Sequence, residues 1–346
     1  MSVTRRELLK TMTAGVGAGL LGGPSRSARA QGARVLDVHL LGFALGIHIP
    51  AMAAVAELLP AAPGYGPPKI TRLNQVRLVT QTLVAAAAEI GETDLPTVLA
   101  AAEAGADLKV VGKPYDSTSL VLLVNADTVR DYPDLTRPET RVAIGARGEI
   151  THVLLLAPML RRGLSLDRTT IVEVPGSGTR VSALLSKRID AAHVHFDQAQ
   201  ELMKRGPFKV LIEPWKDFPG WINEVWAVPG AWLRKPENER VVVDLLKANL
   251  TAFRRANRDL GWYVERYRTH ATTKGAKEAT EASLRGVWDR LAHEIKAWPN
   301  DMNYSLEAFR EVLPAYKAAG AIQGTVKVEQ VVETRYVTQA LKELGA

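Results

Sequence analysis

Apolar residues recur along this chain in short runs, each closing on a glycine-rich or polar loop that opens into a stretch with apolar positions three and four apart. The runs read as buried strands and the stretches as amphipathic helices. Strands are expected at 35–41, 69–72, 108–112, 120–125, 141–144, 171–175, 190–197, 209–212 and 223–228. Helical periodicity covers 51–59, 76–88, 96–104, 152–163, 181–187 and 198–205, and nearly everything from Pro236 to the end, interrupted at Pro299 and Gly320. Pro50 and Pro96 suit first helical turns, and Asp94 or Thr93 is placed to cap the helix at 96–104. The polar stretch 89–94 reads as a loop.

The segment 171–197 is the most complete unit: a β-branched run, then Gly176, Ser177, Gly178 and Thr179, then a helix, then a second apolar run. That is a βαβ unit. Its turn leaves the backbone N–H groups of Ser177, Gly178 and Thr179 at the positive end of a helix, where a small anion is favoured. Strands alternating with helices imply an α/β class with largely parallel sheets, whose ligands gather at the carboxyl ends of the strands. The turn-rich segment after 120–125 marks a first crossing between lobes, and the strand at 223–228 follows a second. The expected architecture is two discontinuous α/β lobes, 33–122 with 222–346 and 123–221, with a ligand cleft between them.

Residues 1–30 stand apart. Arg5 and Arg6 precede a weakly apolar, glycine-rich segment and Ala28, Arg29 and Ala30, a small-x-small cleavage pattern. This resembles a twin-arginine export signal, which implies a periplasmic protein cut after Ala30. The whole chain carries a formal charge of +7, and residues 1–30 hold five basic residues and one acid, so the remainder is at +3 with its charges interspersed. That is too mild for nucleic acid. The absence of cysteine excludes disulfides, thiolate catalysis and cysteine-ligated metals.

Taken in order, the strand-loop-helix start, the stretch Gly91 to Asp94, the Gly176 to Thr179 turn, Asp190 with Ala191 and Ala192, and the late run 331–336 resemble the solute-binding proteins of ABC importers. The family is the one that includes nitrate, alkanesulfonate, taurine and thiamine-pyrimidine binders. The resemblance implies a type II periplasmic binding protein fold, a small organic anion (sulfonate, carboxylate or nitrate-like) as ligand, and an ABC permease and ATPase as partners of a monomeric receptor. It extends to thiamine-pyrimidine synthases, but those rely on a cysteine-rich motif that this chain lacks. A sensory ligand-binding module is the other alternative.

Candidate ligand contacts follow from the loops and strand ends expected at the cleft: Phe43, His48, Glu92, Thr93, Asp116, Arg147, Thr151, Ser177, Thr179, His195 and Trp221. Arg147, beside a helix start, offers a planar fork for a carboxylate or sulfonate. His193 and His195 are assigned to opposite faces of their strand and so cannot share a metal. Without helical histidine pairs or a nucleophile elbow, no catalytic residue, cofactor or metal is expected.

Overall fold

The computed structural model describes residues 32–218 and 221–345; the export-signal reading of 1–30 lies outside them. From Ala33 onward the chain builds two five-stranded sheets. The first holds β1 (Asp37–Leu41), β2 (Lys69–Leu73), β3 (Ile90–Asp94), β4 (Leu108–Gly112) and β10 (Glu224–Pro229) in the order β2-β1-β3-β10-β4. The second holds β5 (Leu120–Asn125), β6 (Arg141–Ile144), β7 (Thr170–Glu173), β8 (Ala191–His195) and β9 (Phe208–Ile212) in the order β7-β6-β8-β5-β9. The two orders are the same pattern. In each, strands of that sheet's own βαβ units pair in parallel, and one strand next to a crossing inserts antiparallel: β10 beside β3 and β4, β5 beside β8 and β9.

Three expectations are corrected here. The stretch 89–94 is not a loop: Ile90–Asp94 is a wholly buried strand in the middle of the first sheet. Its polar side chains occupy buried sheet positions because the fold supplies partners for them: Glu92 accepts from Leu41 N–H, Thr93 bonds Thr80, and Asp94 caps the next helix. The strand Leu120–Asn125 pairs entirely within the second sheet, so the chain leaves the first lobe before Leu120 and not at 122. The helix begun at Val76 stops at Val84, and Ala86 follows with a φ of 52°. That left-handed turn brings the chain back toward β3.

Helices α1 (Ile49–Ala53), α2 (Val76–Val84) and α3 (Leu95–Glu103) flank the first sheet, and α4 (Ile150–Arg161), α5 (Ser177–Leu185) and α6 (Phe196–Met203) flank the second. α3 begins as its sequence dictates: the Asp94 carboxylate accepts from Thr97 N–H at 2.9 Å, and Pro96 fills the first turn. The long helix Pro236–Ala256 buries Val242, Leu246, Leu250 and Phe253 along one face, with Glu237 and Glu239 in its first turn and Arg254 and Arg255 in its last, matching its dipole.

The crossings are tied together. A parallel bridge joins Ser117 to Ile222, and Tyr316 Oη donates to the Ile222 carbonyl at 2.8 Å. Tyr316 belongs to the helix Leu306–Ala318, which packs on α4 of the second lobe while sharing a core with Val98, Leu108 and Val110 of the first. A carboxy-terminal helix thus braces both lobes at their junction. Among the described residues no helix is long and apolar enough to cross a membrane.

Candidate functional site

The carboxyl ends of both sheets face one another across a cavity of about 50 Å³, lined by Leu41, Phe43, Leu120, Gly145, Glu149, Thr151, Ser177, Arg180, His195 and Glu224 among others. A site needs only about 10–15 Å³ of such volume to hold one water, so this space admits a small polar group. A wider groove of about 770 Å³ lies outside it, lined by Arg77, Val84, Ala100, Ala101, Arg147, His152 and Ala321, and the two share Glu149. The smaller cavity is the chemically loaded one. Buried side-chain atoms without a hydrogen-bond partner gather at or beside it: Ser177 Oγ, Glu224 Oε2, Glu92 Oε1, Glu149 Oε1 and His48 Nε2. An unmatched buried polar atom costs about 1–3 kcal/mol, so these atoms make the inner cavity the candidate ligand site.

The second lobe contributes a positive wall. Gly176, at φ 78°, turns β7 into α5, and the first-turn N–H groups of Ser177 to Thr179 stand at the helix's positive end. Ser177 and Arg180 lie three apart on one helical face, and Arg180 is buried at 4 % exposure. Its guanidinium is held by the His193 carbonyl (2.7 Å from Nε) and the Val174 carbonyl (3.0 Å from Nη1). Burial pulls its pKa down to about 10, with Glu149 acting the other way, so it stays charged at neutral pH. Gly145 lets this corner close: a Cβ there would meet Glu149 Oε2 at 2.9 Å and Thr151 Oγ1 at 3.1 Å. Thr151 Oγ1 accepts from Gly145 N–H at 2.7 Å.

The first lobe contributes an acidic wall. Glu92, on β3, accepts from Leu41 N–H at 3.3 Å and lies beside Glu224 at the start of β10. Burial pushes both carboxyls up; the neighbouring Glu92 raises Glu224 further, while a hydrogen bond from Glu224 eases the ionisation of Glu92. Tyr115, whose hydroxyl accepts from Asn223 Nδ2 at 3.2 Å, is pushed up by the same environment.

His48, Glu92 and Glu224 offer ligand atoms within 4.8 Å of one another, a set drawn from three distant segments. Leu45 N–H, however, donates to His48 Nδ1 at 3.1 Å. Burial holds the ring neutral, with its pKa lowered to about 3, so the ring proton sits on Nε2 and that nitrogen is a donor. Two carboxyls and an N–H do not make a three-ligand metal set.

The lobes also hold each other directly. Asp94, at the end of β3, accepts from Ile150 N–H at the start of α4 (3.0 Å), and Asp197, in the first turn of α6, accepts from Gly46 N–H of the first lobe (3.2 Å). Both are carboxylates in the positive field of helix starts.

The expected site residues divide into three groups. Phe43, Thr151, Ser177 and His195 line the inner cavity, and His48 packs behind it with its ring 5.4 Å from Phe43 and 5.2 Å from His195. Glu92 stands with His48 beside Glu224. The others are elsewhere. Thr93 faces α2, bonding Thr80 Oγ1 at 2.7 Å and the Val76 carbonyl at 3.2 Å. Asp116 pairs with Lys113 and accepts from Asn303 Nδ2 at 2.7 Å in the first crossing. Trp221 is core, edge-on to Phe218 and Tyr316. Arg147 lies exposed on the outer groove, and Thr179 is exposed beyond Gly176.

The assignment of His193 and His195 to opposite faces is corrected, because residues two apart on a strand share a face. Both rings are buried, and Arg180 acts on both. His195 Nδ1 lies 2.8 Å from Ser119 Oγ, and His193 has no partner on either nitrogen. Arg180, Glu224 and Glu149 were not anticipated. The spacing from Ser177 was a usable signal for Arg180, and Glu224 is the one charge in the run 221–229.

Residues 69–219 match the NMT1/THI5-like family. That NMT1/THI5-like stretch runs from β2 through the second lobe to the second crossing. No curated protein matches the sequence. Among solved structures, the chain is similar to the ligand-binding component of an ABC-type import system from Staphylococcus aureus, with zinc bound. The two are 14 % identical over 89 % of this chain and 99 % of that one, with a TM-score of 0.71. It is similar to the alkanesulfonate-binding protein SsuA of Xanthomonas axonopodis pv. citri bound to MOPS, with 17 % identity, 86 % and 98 % coverage and a TM-score of 0.69. The periplasmic nitrate-binding protein NrtA of Synechocystis PCC 6803 matches at 10 % identity, 90 % and 89 % coverage and a TM-score of 0.72. At these identities the likeness establishes the fold, that of the periplasmic binding proteins, and all three are binding components.

Proposed function

We propose that this protein is the solute-binding component of an ABC importer. It captures a small organic anion, of sulfonate, carboxylate or nitrate-like type, between its lobes and delivers it to a membrane permease served by an ATPase. The observation that carries the reading is the pairing of unpartnered Ser177 Oγ with buried Arg180 and the start of α5, all at one cavity between two sheets of matching order. Backbone N–H groups, a hydroxyl and a guanidinium are the donors that an anionic head group needs. A solute larger than its head extends toward the outer groove past Glu149. The similar proteins named above, whose ligands are sulfonates and nitrate in two cases, support the same role.

The test is a thermal-shift screen of the chain from Gln31 onward against sulfonates, carboxylates, nitrate and pyrimidines. A captured solute raises the melting temperature with the logarithm of its concentration over Kd. A screen in which no small anion shifts the transition removes the proposal. Export through the twin-arginine route belongs to the same proposal. Replacing Arg5 and Arg6 by Lys is expected to leave the precursor in the cytoplasm on fractionation, and unchanged periplasmic protein would overturn that route.

A further inference from the structure

His195 lines the inner cavity from the end of β8, and its Nδ1 lies 2.8 Å from Ser119 Oγ. The backbone holds the two side chains together: Leu120 is the ladder partner of His195, and Phe196 N–H donates to the Ser119 carbonyl at 2.9 Å. Ser119 is itself buried, and among the described residues its hydroxyl has no other hydrogen-bond partner. That decides which atom donates. Were the ring proton on Nδ1, it would point at the Ser119 oxygen, and the hydroxyl proton would be left buried with no acceptor, which carries the full desolvation cost of an unmatched donor. With the hydroxyl donating to Nδ1, the ring proton stands on Nε2. The ring is neutral, since burial and the Arg180 guanidinium both oppose a second proton.

We propose that Ser119 is a positioning residue that locks His195 in its Nε2–H form, and that His195 thereby donates a hydrogen bond to the anionic head of the captured solute. This rests on the solute-capture reading and adds a specificity device to the same site. His48 stands 5.2 Å away, ring to ring, and is fixed in the same form by Leu45 N–H at 3.1 Å. One ring comes from each lobe, and each has its Nδ1 occupied by a donor, so the free nitrogen of both carries a proton. Neither ring needs a charge to donate. Neutral donors of fixed direction favour a head group that only accepts, such as a carboxylate or sulfonate oxygen. They disfavour an amide or sulfonamide nitrogen, whose own protons would meet theirs. Ser119 would do this without touching the solute, by setting which nitrogen of His195 holds the proton.

The tautomers are read directly by long-range ¹H–¹⁵N correlation spectra of protein labelled with ¹⁵N-histidine, at pH 7 and without solute, with the His195 signals identified by their loss in His195→Gln. The wild type is expected to show His195 with a bare Nδ1 and a protonated Nε2. Ser119→Ala is expected to move it toward a mixture of both forms, and Ser119→Thr, which keeps the hydroxyl, to restore the wild-type pattern. Titration with ethanesulfonate, propanoate and nitrate should shift the His195 Nε2 signal with at least one of them. Affinity for that probe should fall about three- to tenfold in Ser119→Ala, the worth of one neutral hydrogen bond, and recover in Ser119→Thr. A protonated Nδ1 in the wild type overturns the proposal even if no variant folds, and an unchanged tautomer in Ser119→Ala removes the role of Ser119. An Nε2 signal that none of the three probes moves removes His195 as the donor. The capture reading fails separately, only if the broader anion screen is also silent.

Discussion

The two lobes are built on one plan and finished with opposite chemistry. In each sheet the third strand of the parallel set lies beside the antiparallel newcomer: β3 pairs Glu92 with Trp226 and Asp94 with Glu224, and β8 pairs His193 with Leu122 and His195 with Leu120. At corresponding places the first lobe puts carboxyls and the second puts imidazoles with Arg180 behind them. Backbone topology decides where the cleft is. The side chains at a few strand ends differ between the lobes, where buried carboxyls with raised pKa values stand opposite a buried arginine that keeps its charge.

The sharpest way to break that contrast is to remove the basic wall. Arg180→Met is expected to weaken binding of the best anion from the screen by about ten- to a hundredfold, since a charge-assisted hydrogen bond contributes roughly 1.5–3 kcal/mol. It should also lower the melting temperature, because the His193 and Val174 carbonyls lose their donor. Unchanged affinity in calorimetry would place the anion elsewhere. Next is the clasp between the walls. Asp94→Ala strips the cap from α3 and the partner from Ile150 N–H, with an expected loss of about 2–3 kcal/mol in denaturant unfolding. The equivalent change at an exposed carboxylate should cost under about 0.5 kcal/mol.

Glu149 stands where the two walls meet, and its effect depends on pH. Burial first, and then Asp94, raise its pKa from 4.5 to about 7, against the pull of Arg77 and Arg180. The folded state therefore binds the extra proton between those values, and stability falls as pH rises from about 4.5 to 7, by an amount on the order of 3 kcal/mol. Glu149→Gln should leave stability at pH 4 nearly unchanged and flatten that decline. A wild-type slope that persists in the variant would assign it to other groups. The smallest expected effect is at Arg147, which is exposed on the outer groove. Arg147→Ala should change stability by less than about 0.5 kcal/mol and affinity for a small anion by less than about threefold; a tenfold loss would move the head group outward.

The positions of most elements were legible from apolar periodicity, because burial on two faces leaves continuous runs such as Leu120–Asn125. β3 was not, because Glu92, Thr93 and Asp94 are polar residues buried through partners from distant segments, so the strand lacks an apolar pattern. The same cause hid the cleft's chemistry. Ser177 was visible from its turn, but Glu224 and Arg180 matter only through folding that brings β10, β3 and α5 together. Trp221 and Asp116 were misplaced because hinge packing and cleft lining use the same residue types at the same segment ends. Only contact with Tyr316 or Lys113 tells them apart.

The proposed solute head group sits between the two walls. A crystal structure with the tightest-binding compound of the thermal-shift screen tests it most directly. The predicted result places the anionic group within hydrogen-bond distance of Ser177 Oγ and the first N–H groups of α5, with the rest of the molecule between Arg180 and Glu224. Density for that compound in the outer groove alone, against Arg77 and Arg147 with the inner cavity closed as it is here, would contradict the account.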